Sequence, residues 1–167
     1  MEVWLRGALP GVPALLQPVG HALLQANEEI QELMKDFPGE LLWERPAGVA
    51  SVAFHLQHIP GVLDRLLTYS NGQPLSAGQL HSLQAESVYD GSITKDGLVD
   101  SLNKKITEVL KQLEKMDEAT LTEARTVGRQ MLPSTKLGLI FHAAEHTMRH
   151  TGQLHVTVKV LLNTEKK

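Results

Sequence analysis

Phe141-His142-Ala143-Ala144-Glu145-His146-Thr147-Met148-Arg149-His150-Thr151-Gly152-Gln153 places three histidines four residues apart. Residues at that spacing share one face of an α-helix, with Cβ atoms roughly 5–6 Å apart. The stretch therefore reads as a helix carrying a histidine stripe. Ser134, an N-cap type after Pro133, marks its expected start, and it is expected to run to about Leu162.

Working back from this segment, three more long helices are predicted, with the punctuation between them. Leu98, Leu102, Ile106, Val109, Leu110 and Leu113 form an apolar stripe in a helix over about Thr94 to Met116. Lys104, Lys105, Glu108, Lys111 and Glu114 occupy its other face, which reads as solvated. A second segment runs from about Ser51, a plausible N-cap, to Tyr69, and Asn71-Gly72 terminates it. Pro60 inside it removes one backbone donor and should bend it. The first segment spans about Pro13 to Phe37, with Leu15, Leu16, Val19, Leu23, Leu24, Ile30, Leu33 and Met34 at helical steps and Phe37-Pro38-Gly39 as its stop.

The remaining stretches read as connections. Glu40 to Val49 is a loop with Pro46 and Gly48, and Gln73 to Gly91 holds one short helix over Ala77 to Glu86. Asp117 to Pro133 is polar and irregular, with an extended piece near Arg125 to Val127. Few β-branched runs alternate with period two, so a sheet is not expected. The fold class expected is all-α, an antiparallel four-helix bundle with long crossover connections. At 167 residues, with no repeat or long linker, residues 1–167 are expected to form one domain.

Composition narrows the function. A hydrophobic fraction of 42% with 21% charged residues is ordinary for a globular protein. A net charge of −3 and 4% aromatic residues supply neither a basic surface nor a stacking platform, so no nucleic-acid partner is expected. No apolar run reaches the roughly 18 residues of a membrane span. Met-Glu-Val-Trp-Leu-Arg-Gly at the N-terminus lacks a basic region followed by an apolar one, and a cytoplasmic location is expected. There is no cysteine, so any metal would be held by nitrogen and oxygen donors.

Eight histidines are unevenly placed. His142, His146 and His150 form the stripe, His55 and His58 lie three apart on the second helix, and His21, His81 and His155 stand alone. Isolated histidines are ordinarily structural or at the surface. Any adjacent pair of the stripe could chelate one ion, whereas all three span a rise of roughly 12 Å. A bundle that joins the second and fourth helices could therefore build a three-histidine site. Thr147 stands where a zincin would carry its glutamate base, so that protease chemistry is not supported.

Three motifs in order carry a family resemblance. They are Leu42-Trp43-Glu44-Arg45-Pro46, Ser51-Val52-Ala53-Phe54-His55-Leu56-Gln57-His58-Ile59 and His146-Thr147-Met148-Arg149-His150-Thr151-Gly152-Gln153. With them the chain resembles, over most of its length, the DinB superfamily, which includes bacillithiol transferases and mycothiol-dependent maleylpyruvate isomerases. The resemblance implies an antiparallel four-helix bundle and one divalent transition-metal ion, zinc or nickel. It implies ligands at His58, His146 and His150, leaving His55 and His142 as extra donors. Glu145, Gln153 or Gln57 would hold the far nitrogen of a ligand ring.

Three imidazoles leave a coordination position open, which marks catalytic rather than structural sites. The expected activity is metal-dependent thiol S-transfer with a low-molecular-weight thiol or other small molecule as partner. Metal-dependent hydrolysis is one alternative, and a non-catalytic metal-binding stress-response module is another. Arg149 is a candidate for pairing with a substrate carboxylate. Apolar residues left over on the first and third helices make a homodimer an expectation.

Overall fold

The computed structural model describes residues 1–164. Four long helices form the bundle: α1 (Gln17–Met34), α2 (Val52–Ser70), α4 (Lys95–Leu113) and α5 (Lys136–Thr164), with a short α3 (Ala77–Ala85) in the crossover between α2 and α4. Each of α1 and α2 packs against both α4 and α5. On α2 and α5, His55 faces His150 while His58 faces His146, so these helices run antiparallel. On α1 and α4, Asn27 meets Asn103 while the Lys35 carbonyl meets Lys95, which makes that pair antiparallel as well.

The apolar stripes close on one another. Leu23 and Ile30 of α1, Leu56, Ile59 and Leu63 of α2, Leu102 and Ile106 of α4, and Leu154 and Val158 of α5 are fully buried in one cluster. Burying a side chain of this size contributes about 1.5–3 kcal/mol relative to exposure, which favours the four-helix arrangement over isolated helices. The apolar residues of α1 and α4 are spent largely in this core. Exposed large apolar side chains lie elsewhere, at Trp4 and Leu5, at Leu80 and Leu83 on α3, and at Phe141, Val156 and Val160 on α5.

Caps set the helix boundaries. Ser51 accepts from the Phe54 backbone N–H, as expected, and Thr94 caps α4 through the Gly97 N–H. Ser76 and Gln79 form a reciprocal capping box that fixes the start of α3. A 3₁₀ turn over Ala14–Leu16 precedes α1, so Pro18 falls in the first helical turn, where its missing N–H costs nothing. Pro60 lies inside α2, and the helix continues through it to Ser70.

Two expectations need correction. A small sheet does form: β1 (Ala124–Val127) pairs antiparallel with β2 (Leu132–Thr135). It is held by a tertiary anchor rather than by an apolar alternation, since Arg125 Nε donates to the Ser70 carbonyl at the end of α2 at 2.7 Å. Its turn uses positive φ at Gly128 (68°) and Met131 (51°). Ser134 is consumed by this hairpin, so α5 starts at Lys136, where the Thr135 hydroxyl accepts from the Gly138 N–H. No helix of the described residues is long and apolar enough to cross a membrane.

Candidate metal centre

The centre lies where α2 meets α5. Three-residue and four-residue steps turn His55 and His58 of α2 towards His146 and His150 of α5. His58 Nε2 lies 3.1 Å from His146 Nε2, and His55 Nδ1 lies 3.0 Å from His150 Nδ1. The His150 ring centroid is 4.5 Å from those of both His58 and His146. One ligand atom from each of His58, His146 and His150 falls within 4.8 Å of the others.

These dimensions suit an ion. Nitrogens about 2.0–2.1 Å from a common ion are roughly 2.9–3.4 Å apart for angles between square and tetrahedral. The 3.1 Å separation of His58 and His146 falls in that range. His146 Nδ1 is buried and has no hydrogen-bond partner among the described residues, so they leave part of that ring's bonding capacity unused. The donor set, imidazole nitrogen alone, is one that binds borderline divalent metals.

Burial biases His55, His146 and His150 towards the neutral form. Burial, followed by the nearby His58, pushes His55 down to about 4. Burial and then His58, His146 and His55 push His150 down to about 3. His146 is lowered as well, by burial first and then by its histidine neighbours and Arg149. A metal ligand must be the neutral imidazole, so these shifts pre-set the cluster for coordination.

A stability prediction follows. In the unfolded chain these rings take up protons near 6.5, whereas His55 and His150 resist until about 4 and about 3. The unfolded state binds more protons in that interval, so stability must fall as pH falls below about 6.5 and be unaffected by these groups above it. Urea midpoints of metal-free protein are expected to drop between pH 7 and pH 5, before carboxylates titrate, and His55→Asn is expected to flatten that drop. A parent midpoint constant over the same interval would refute it.

Of the remaining candidates, His55 is 2% exposed and serves as the partner of His150 rather than as a member of the triad. His142 is half-exposed and pairs with Glu145 at 3.3 Å; His142, Glu145 and His146 form a second, more open group. Arg149 is exposed and paired with Glu145. Gln57 donates to the Ala53 and Glu86 carbonyls, so it orients the chain around the site rather than a ring. The lone histidines stay apart: His21 contacts the Gly7 carbonyl, His155 lies 3.8 Å from Glu29, and His81 is exposed.

One residue near the site went unread in the sequence. Glu86, at the end of α3, places Oε2 2.6 Å from His58 Nδ1, while its Oε1 accepts from Arg65 at 2.6 Å. Its only sequence signal is a lone glutamate closing a short helix, far from either histidine motif.

The family model described as the DinB superfamily matches residues 22–154, a span that includes α2 and every histidine of the cluster. The chain belongs to the DinB superfamily. Two solved structures share the fold. A conserved protein from Enterococcus faecalis is 19% identical with a TM-score of 0.68, over 89% of this chain and 97% of that one. A protein from Streptococcus pneumoniae is 15% identical with a TM-score of 0.65, over 87% and 88% of the two chains. No curated protein matches the sequence. In this DinB-superfamily chain the bundle places three imidazoles that could hold a metal at one point between α2 and α5.

Proposed function

We propose that this protein binds one divalent transition-metal ion, zinc or nickel, on His58, His146 and His150, and uses it in S-transfer from a low-molecular-weight thiol to an electrophilic small molecule. The observation that carries the reading is that the triad gathers three imidazoles, two of them (His146 and His150) held towards the neutral form by burial, with no fourth protein donor in the group, among the described residues. A bound ion there would act as a Lewis acid at an open position and favour a thiolate over the thiol.

Charge supports an anionic partner. The two carboxylates nearest the triad are both engaged by arginines, Glu86 with Arg65 and Glu145 with Arg149. Neutral imidazoles therefore leave the charge of a divalent ion uncompensated by protein. A thiolate would be stabilised there more than a neutral ligand. A cleft of about 530 Å³ meets the cluster at His55, with Arg149, Gly152, Gln153, Val49 and Val156 also on its walls. Its walls are mainly apolar, with Arg149 as a cationic group suited to a carboxylate on either reactant. Gly152 leaves open space where a side chain would stand.

The test is a rate measurement. Zinc- or nickel-loaded protein is incubated with a panel of thiols (glutathione, cysteine, bacillithiol, mycothiol) and monobromobimane. The expected result is a metal-dependent acceleration with at least one thiol, lowered by Arg149→Ala through KM. A loaded protein that accelerates none of them would remove the S-transfer reading and leave a metal-binding module.

A further inference from the structure

We propose that Glu86, anchored by Arg65, is the positioning residue that holds the His58 ring with Nδ1–H engaged and Nε2 free towards the metal, an inference that rests on the metal reading above. Glu86 is 4% exposed and Arg65 8% exposed, so the carboxylate and guanidinium meet away from water. The two carboxylate oxygens are divided between two jobs. Oε1 takes the Arg65 Nη1 bond and Oε2 faces His58 Nδ1, each at 2.6 Å. A carboxylate only accepts, so the hydrogen in the His58 contact must lie on Nδ1. That leaves the Nε2 lone pair pointing at His146 Nε2, the side on which the triad converges. Phe54 stacks on the same ring at 4.9 Å between centroids and 16° between planes, which fixes the remaining rotation.

The fold makes room for this chain of contacts. A Cβ added at Gly61 would collide with Glu86 Oε1 and come within 2.8 Å of Arg65 Nη1. Gly61 is in mid-helix, where alanine would favour the helix by about 1 kcal/mol. The glycine therefore leaves room on the face of α2 that also carries His58, and there the α3 crossover seats its carboxylate beside that ring. Gln57 completes the delivery by donating to the Glu86 carbonyl at 3.2 Å. An ion pair serving stability alone would need only Arg65 and Glu86; the engagement of His58 by the second carboxylate oxygen ties the pair to the site.

The experiment compares parent, Glu86→Gln, Glu86→Asp and Gly61→Ala as full chains. Zinc affinity is read by competition with a chromophoric chelator, and the His58 tautomer by ¹⁵N NMR of the metal-free protein. Glu86→Gln is expected to weaken zinc binding about 10- to 100-fold, the usual cost of losing such a partner, and to turn a single Nδ1–H tautomer into a mixture. Glu86→Asp is expected to recover part of both. Parent-like affinity and tautomer in folded Glu86→Gln overturns the proposal. Should that variant fail to fold, Gly61→Ala displaces the carboxylate with all charges kept, and parent-like affinity there overturns it equally. Should the parent itself take up no zinc, the metal reading fails. The tautomer then decides the positioning part alone, a mixed tautomer in the parent refuting it.

Discussion

His146→Ala is expected to be isolated without metal, whereas the parent and His81→Ala carry about one equivalent of a transition metal when purified without a His-tag or chelating column. Elemental analysis reads the difference directly. Structural zinc sites with four ligands bind with apparent energies of about 10–16 kcal/mol, so each ligand is worth roughly 2.5–4 kcal/mol, on the order of a hundredfold in affinity. A site of three ligands reduced to two loses stoichiometric retention through a purification. His150→Ala is expected to behave likewise. His58→Ala tests the contribution of α2: parent-like binding in that variant would move the assignment to His55, whose Nδ1 already faces His150.

The same variants separate loss of the site from loss of the fold. The rings of His146 and His150 are held below their ordinary proton affinity by burial and then by His58, so in metal-free protein the cluster opposes folding at mildly acid pH. Removing one imidazole is therefore expected to leave the apo-protein's urea midpoint at pH 6 unchanged or raised. A variant that lost metal and also unfolded would say nothing about ligation, and the midpoint makes that case visible.

The bundle was legible because its signals are local. Leucine and isoleucine at helical steps and Ser51 before α2 act within one or two turns, and the structure keeps them. The candidate ligands were legible for a related reason. His146 and His150 are one helical turn apart, so spacing alone aligns them, and only the meeting of α2 with α5 had to be supplied. Spacing left His55 and His58 equivalent. The structure separates them by surroundings: His55 is buried against His150, while His58 has Glu86 behind it and His146 in front.

What failed to show was non-local. Glu86 reaches His58 through a crossover whose path depends on the Ser76 cap, on Gly61 and on Arg65, none of which announces the others in the sequence. The hairpin depends on Arg125 finding the end of α2, so no periodicity in residues 124–135 encodes it. Ser134 illustrates the competition: its residue type suits an N-cap, but strand pairing claims it and passes the capping to Thr135.

Arg65→Met is expected to destabilise the protein by about 3–5 kcal/mol, because it leaves the Glu86 carboxylate buried without its guanidinium. Chemical denaturation at pH 7.5 measures it. The loss comes from an orphaned charge and not from the absence of an attractive pair, and a second substitution exposes the distinction. Adding Glu86→Leu removes the charge itself and is expected to restore most of the stability, since apolar replacements of similar volume often match a buried ion pair. What remains lost is about 1 kcal/mol for the His58 Nδ1–H without an acceptor. The double variant should fold as well as the parent within that margin and still bind zinc more weakly, because a stable core gives His58 no reason to face the metal. Were its stability restored and its zinc affinity with it, the buried pair would be a packing element alone. Were its stability not restored, the packing of methionine and leucine between α2 and α3 would be at fault, and Arg65→Met by itself would still measure the charge.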